Sequence, residues 1–261
     1  MDFKPKLVAF DLDGTLAESK QRVSAEMGEL VAGLLERMPV AVMSGASFKQ
    51  FEVQFLPALP VDAQFKKLYL FPDNGAICFV YQQEKWQVRY EHSFSKPEHA
   101  RVMQALTEAM AETDFREAPP QVWGERIEDR GAQITFSALG QHAPIEEKQK
   151  WDPTREKRKP LFEALVRRLP DFSVALNAHT SIDITKKGIN KAYGIRKLIE
   201  ATGISVSEML YVGDALQEGG NDAVVIDTGI KTHAVFGPEE TAGLIKALLG
   251  DVKRTALVQR F

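Results

Sequence analysis

Short, β-rich apolar runs that end on acidic or small polar residues, separated by helical patterns, restrict this chain more than any other feature. Leu7-Val-Ala-Phe10 runs into Asp11, a helical pattern spans Ser24 to Arg37, Val40-Ala-Val-Met43 runs into Ser44-Gly45, and another helix follows Ser47. The pattern returns near the carboxyl end, where a helix from about Asn190 to Glu200 precedes Met209-Leu-Tyr-Val212. Further strands are expected at Val224-Val-Ile226 and His233-Ala-Val-Phe236, with a helix after Pro238. Strands alternating with helices need crossover connections and therefore predict a parallel sheet. An α/β fold follows, in which residues 1–81 and 185–261 form one Rossmann-like, doubly wound core.

The middle of the chain reads differently. Asn74-Gly75 is a hairpin turn between Leu68-Tyr-Leu-Phe71 and Ala76-Ile-Cys-Phe-Val-Tyr81, and Trp86 to Tyr90 continues with strand-like residues. A helix from Pro97 to Met110, a loop from Asp114 to Gly124, a strand at Gln133-Ile-Thr-Phe136, a charged helix through Arg155 to Arg168, and strands at Phe172 to Leu176 and Thr180 to Ile184 complete an α+β module. Residues 82–184 are expected to be an insertion in the core.

With 261 residues, 44% apolar and 26% charged, the chain is long enough to bury such a core and carries no mark of disorder. A net charge of -3 supplies no basic field, and the basic stretch Lys148 to Lys159 is interleaved with acids. A surface helix is the expected explanation of that stretch, and nucleic acid is not an expected partner. The single cysteine, Cys78, permits no intrachain disulfide and lies in an apolar run, which predicts a buried structural thiol and a reducing, cytoplasmic setting. Asp11 and Asp13 interrupt the first apolar stretch, so neither a signal peptide nor a membrane span is expected.

Chemistry concentrates at strand ends, where open parallel sheets bind ligands. Asp11-Leu-Asp13-Gly14-Thr15 follows the first strand. Two carboxylates so close at a buried strand end repel each other unless a cation or a proton compensates. A second acidic cluster, Gly213-Asp214 then Gly219-Gly220-Asn221-Asp222, begins at the end of Leu210-Tyr-Val212 and could converge on the same cation. Oxygen ligands with no neighbouring His or Cys favour Mg²⁺. Ser44-Gly45 could hold a phosphoryl oxygen through a hydroxyl and a backbone N–H, and Lys191 opens a helix from which it could neutralise charge between a carboxylate and a phosphoryl group.

In order and spacing, these four elements resemble the motifs of the haloacid dehalogenase superfamily of phosphotransferases. An insertion after the third core strand resembles the subfamily that includes Cof-type phosphatases, sucrose-phosphate phosphatases and phosphomannomutases. Phe71-Pro-Asp-Asn-Gly75, Arg130-Gly131 through Phe136 and Ser181-Ile-Asp183 are most similar to the eukaryotic-type phosphomannomutases. The resemblance implies that Asp11 is the nucleophile and Asp13 the acid/base, and that Lys191 assists them. It implies Mg²⁺ held by Asp11, the Asp13 carbonyl and Asp214, with Ser44, Gly45, Lys191 and Asn221 on the phosphate and Asp222 behind them. The insertion would be a cap over a small phosphate ester, a sugar phosphate by resemblance, and such caps often pair into homodimers.

The mutases clamp a second phosphate with cap arginines, and at two of those places this chain has Ser137 and Glu147. Arg126, Arg130 and Lys148 are the remaining cationic candidates for substrate contact in the cap, with Ser181 and Asp183 facing sugar hydroxyls by resemblance. A phosphatase is therefore expected first, a phosphosugar mutase second and a non-catalytic phosphosugar-binding protein last.

Overall fold

The computed structural model describes residues 3–177 and 179–250. Residues 251–261, expected to end the core, lie outside the described residues. The first elements are β1 (Leu7–Asp11), α1 (Ala25–Arg37), β2 (Val40–Met43), α2 (Phe48–Gln54), β3 (Leu68–Phe71), β4 (Ile77–Gln82) and β5 (Lys85–Glu91). There follow α3 (Lys96–Ala111), β6 (Ile127–Asp129), β7 (Gln133–Ser137), α4 (Ile145–Trp151), α5 (Lys159–Arg168), β8 (Phe172–Asn177) and β9 (Ser181–Lys186). The chain closes with α6 (Lys191–Thr202), β10 (Met209–Gly213), β11 (Lys231–Ala234) and α7 (Pro238–Leu249).

One sheet has seven strands in the order β11-β10-β1-β2-β3-β4-β5. Its first five strands run parallel, and β4 and β5 fold back antiparallel. Every residue of β1 is buried, because helices cover both sides of the strand, and its apolar run is accordingly unbroken. On one side α1 presents Met27, Val31, Leu34 and Leu35 to Val8, Phe10, Val40 and Val42. Their spacing is that of one helix face. On the other side α6 brings Ile195 and Leu198 against Leu7, Ala9, Met43 and Tyr211. At roughly 1.5–3 kcal/mol for each large apolar side chain removed from water, these two layers are what holds the strand ends in place. The chain leaves β1 for β2 on one side and returns as β10 on the other, so the strand order reverses at β1 and opens a crevice at its carboxyl end.

The second sheet has four strands, β6-β7-β9-β8, all antiparallel neighbours, with α3 and α5 packed on it. It arises wholly between β5 and α6, and we refer to it as the insert. The expected boundary at Gln82 falls inside a hairpin: β5 pairs with β4 from Gln82↔Lys85 to Ile77↔Glu91 and so belongs to the larger sheet. Strand-like composition alone does not say which sheet an edge strand joins, since either edge offers the same backbone partners.

Two further expectations are corrected. Val224-Val-Ile226 is part of a helical turn, residues 223–228, in which Val225 is buried beside α6. Three β-branched residues are too short a run to override that packing. The basic stretch is no surface helix, because α4 ends at Trp151, and Lys148 and Arg158 are buried. Arg158 pairs with Asp152 at 2.7 Å and donates to the carbonyls of Asn177 and Ser181. Burial of an arginine is tolerated because its donors are matched this way. Cys78 is buried as expected, and burial pushes its thiol up to about 12. Among the described residues no helix is long and apolar enough to cross a membrane.

Candidate active site

Asp11 closes β1 and is 3% exposed. Lys191, the first residue of α6, reaches it from the opposite wall: Asn190 caps the helix by accepting from the Tyr193 N–H, which fixes where the lysine starts. The Lys191 Nζ donates to Asp11 Oδ1 at 2.5 Å and to Asp222 Oδ1 at 2.6 Å. Asp222 is fully buried and also accepts from the Tyr211 hydroxyl at 2.6 Å and the Ala215 N–H at 3.1 Å. One ammonium thus ties two strand-end carboxylates together.

The electrostatics follow from this arrangement. Burial pushes the Asp11 carboxyl well above the usual carboxylate range, against the pull of Lys191, and Asp222 and Asp214 add to the rise. Burial also disfavours the Lys191 ammonium, but Asp11 and Asp222 outweigh it and hold the lysine above its ordinary range. Asp214, at the exposed end of β10, is pushed up to about 6 by desolvation and by Asp222.

Oxygens of Asp11, Asp214 and Asp222 lie within 4.8 Å of one another. This is an all-oxygen donor set with no sulfur or imidazole, which fits a hard divalent cation such as Mg²⁺. Asp222 already accepts three hydrogen bonds, so Asp11 and Asp214 are its better-placed members. Two glycines make room for the cluster. A Cβ on Gly14, whose φ is +83°, would stand 2.5 Å from Asp214 Oδ2, and one on Gly213 would stand 2.5 Å from Asp222 Oδ2. The Asp13 carboxylate is not part of this cluster: its Oδ1 accepts from the Lys20 N–H at 2.6 Å and from Gln54 Nε2 at 2.9 Å.

A cavity of about 460 Å³ opens onto these groups, between the larger sheet and the insert. Asp11, Asp13, Ser44, Gly45, Asp214 and Asn221 line its floor, and Arg130, Ser181 and Asp183 line its roof. Ser44 Oγ is held by the Ala46 N–H at 3.0 Å. Ser181 shares a 2.7 Å hydrogen bond with Ser137. Arg126 is not brought to the cavity, since its guanidinium lies 5.1 Å over the Phe136 ring. Lys148 stands behind the wall, with its Nζ 3.2 Å from the Gln141 carbonyl, to which Lys20 also donates at 3.0 Å. Burial, with Lys20 close by, pulls the Lys148 ammonium down to about 7.

Sequence reasoning missed the polar seam that joins the insert to the core. Arg130 donates to the Gly45 carbonyl at 2.5 Å and approaches Asp73 at 3.4 Å. Asn74 donates to Gln133 at 2.8 Å and to Asp183 at 2.9 Å, and Asp183 also accepts from Thr135 and Asn177. Arg130 and Asp183 are therefore already engaged with protein groups. The one available signal was Pro72-Asp-Asn-Gly75: Asp73 and Asn74 both adopt positive φ, a strained conformation that clusters at functional sites.

Burial pushes Asp73 up to about 7, only partly opposed by Arg130. A carboxyl raised in the folded state stabilises below its unfolded value, near 4, and loses that contribution as pH rises through about 7. Asp73→Asn is therefore expected to raise stability at pH 8 by roughly 3 kcal/mol more than it does near pH 5, because the aspartate's contribution falls between about pH 4 and pH 7. Urea unfolding at the two pH values measures this, and equal effects at both would contradict it.

A mixed α/β fold with a switch-point crevice and a buried carboxylate-lysine-carboxylate bridge defines the class. The haloacid dehalogenase-like hydrolase family matches residues 8–223, and the chain belongs to that family. Phosphomannomutase from Saccharomyces cerevisiae is 25% identical over 252 residues, covering 94% of this chain and 95% of that protein. Phosphomannomutase from Spinacia oleracea is 25% identical over 248 residues, covering 92% and 95%. Among solved structures, IMP-bound Plasmodium falciparum IMP-nucleotidase superposes with a TM-score of 0.69 at 15% identity, covering 95% of this chain and 68% of that one. A haloacid dehalogenase-like hydrolase from Bacteroides thetaiotaomicron superposes with a TM-score of 0.59 at 16% identity, covering 94% and 100%. These structural likenesses concern the fold.

Proposed function

We propose that this protein is a Mg²⁺-dependent phosphatase that releases phosphate from a sugar phosphate through a covalent intermediate on Asp11. The observation that carries the reading is the buried Asp11 carboxylate at the floor of a polar cavity, with the Lys191 ammonium 2.5 Å from its Oδ1. A carboxylate so held has an oriented oxygen, and the same ammonium is available to the incoming phosphoryl oxygens.

In this reading an Asp11 oxygen attacks phosphorus in line. Asp13, whose Oδ1 is fixed by Lys20 and Gln54, presents its other oxygen to the leaving group, first giving a proton and then taking one from water. The Ser44 hydroxyl, the Gly45 N–H, Lys191 and Asn221 would hold the phosphoryl oxygens. Asp222, gripped by Tyr211 and Ala215, keeps Lys191 aimed. Asp11, Asp214 and the Asp13 carbonyl would hold Mg²⁺, which supplies positive charge against the phosphoryl group and favours the ionised form of Asp11. The insert would act as the cap, excluding bulk water and presenting Ser181 to the sugar.

One observation favours a second reading, the phosphosugar mutase. Lys20 lines the cavity with no carboxylate within ion-pair distance of its ammonium among the described residues, so a second anionic group would be well received there. A panel of sugar phosphates separates the two readings. The phosphatase releases inorganic phosphate with Mg²⁺ and stops with EDTA. A mutase instead moves phosphate between positions of one hexose, requires a bisphosphate activator and releases little phosphate. No turnover of any ester in the panel would overturn both.

A further inference from the structure

The strand β8 ends on Asn177, and this side chain crosses from the insert into the phosphate-binding floor. Its Oδ1 accepts from Asn221 Nδ2 at 3.1 Å, and its Nδ2 donates to Asp183 Oδ2 at 2.6 Å. The amide lies directly on Gly45: a Cβ there would stand 2.3 Å from Asn177 Nδ2 and 3.0 Å from Asp183 Oδ2. Gly45 does not adopt the left-handed conformation, so what it provides is space for Asn177. Among the described residues the Asn221 amide has no hydrogen-bond partner in the core, and the partner that orients it comes from the insert.

We propose that Asn177 is a positioning residue that aligns the Asn221 amide on the phosphoryl group when the insert is closed. It rests on the reading that Asp11 receives a phosphoryl group. With one Asn221 N–H held by Asn177, the other is turned into the cavity. Opening the insert removes Asn177 and releases the amide. Asn177 is itself anchored, because Asp183 is gripped from the core by Asn74 and from the insert by Thr135. The seam between the two sheets thus sets the geometry of a residue on the core's own loop, and the site is complete only in the closed form.

The test is a double-mutant cycle in the full-length protein, using Asn177→Ala, Asn221→Ala and the double variant, with p-nitrophenyl phosphate as the probe and thermal unfolding to verify folding. Asn177→Ala is expected to lower kcat by about 2- to 12-fold, the worth of one hydrogen bond, with a smaller change in KM. The double variant should be no slower than Asn221→Ala alone, because Asn177 acts through Asn221. Losses that multiply would overturn the proposal, since a merely structural contribution adds to that of Asn221. Gly45→Ala gives a second readout: it should lower kcat more in the wild type than beside Asn177→Ala, where there is no amide to displace, and an equal loss counts against Asn177.

If the wild type does not turn over this ester or any other, the phosphatase reading fails on its own. The same four proteins then decide the role of Asn177 by calorimetric affinity for orthovanadate with Mg²⁺. A loss in Asn177→Ala that disappears beside Asn221→Ala upholds it, and an equal loss in both backgrounds overturns it.

Discussion

Asp11→Asn is expected to lower turnover by about 10⁴-fold or more, the scale seen when a nucleophile is removed from a site that acts as a unit. Asparagine keeps the shape of aspartate but lacks the charged oxygen that would attack phosphorus. The fold should survive, because Asp11 lies against two other carboxylates, Asp214 and Asp222, and removing its charge relieves that repulsion. The expected result is therefore a protein whose unfolding midpoint is at least that of the wild type and whose phosphate release is lost. Substantial Mg²⁺-dependent phosphatase activity in this variant would sink the assignment of Asp11 as nucleophile.

Lys191→Met should produce the largest loss of stability. The lysine is 1% exposed and is the cation that bridges Asp11 and Asp222, themselves 3% and 0% exposed. Removing one member of a buried ion cluster leaves the others uncompensated, which costs about 3–5 kcal/mol. Without the ammonium the Asp11 carboxyl would rise further in the folded state. Stability contributed by a raised carboxyl is present at low pH and lost as pH rises, so the deficit should grow between about pH 5 and pH 8. Urea unfolding in EDTA measures it, and adding Asp11→Asn should recover part of the loss because one stranded charge is gone. A deficit below about 1 kcal/mol at pH 8 would show that Lys191 is not what compensates the pair.

The core's architecture was legible because both of its signals are local. Strands buried on both faces must be continuously apolar, and β1, β2 and β10 are fully buried over their whole lengths. Helices packed on one face must repeat at helical spacing, as α1 does. Where burial did not constrain composition the reading failed. β5 is mostly exposed at a sheet edge, so nothing in its residues tied it to the core rather than the insert. Val224-Val-Ile226 is strand-like alone and helical only because Val225 packs beside α6.

The same division separates the halves of the candidate site. By itself the sequence determined that Asp11, Asp13, Ser44 and Asp214 stand at strand ends, since an acid or hydroxyl directly after an apolar strand has nowhere else to go. Only the tertiary structure decided which of these groups meet. Lys191 reaches across 180 residues of chain to Asp11, and Asn177 spans 44 to reach Asn221. Lys148 lies buried and Arg126 covers a phenylalanine ring, although both read alike as cationic candidates for substrate contact. Periodicity reports whether a residue faces the core, but the partner of a buried charge comes from another element, and no local pattern encodes that distance.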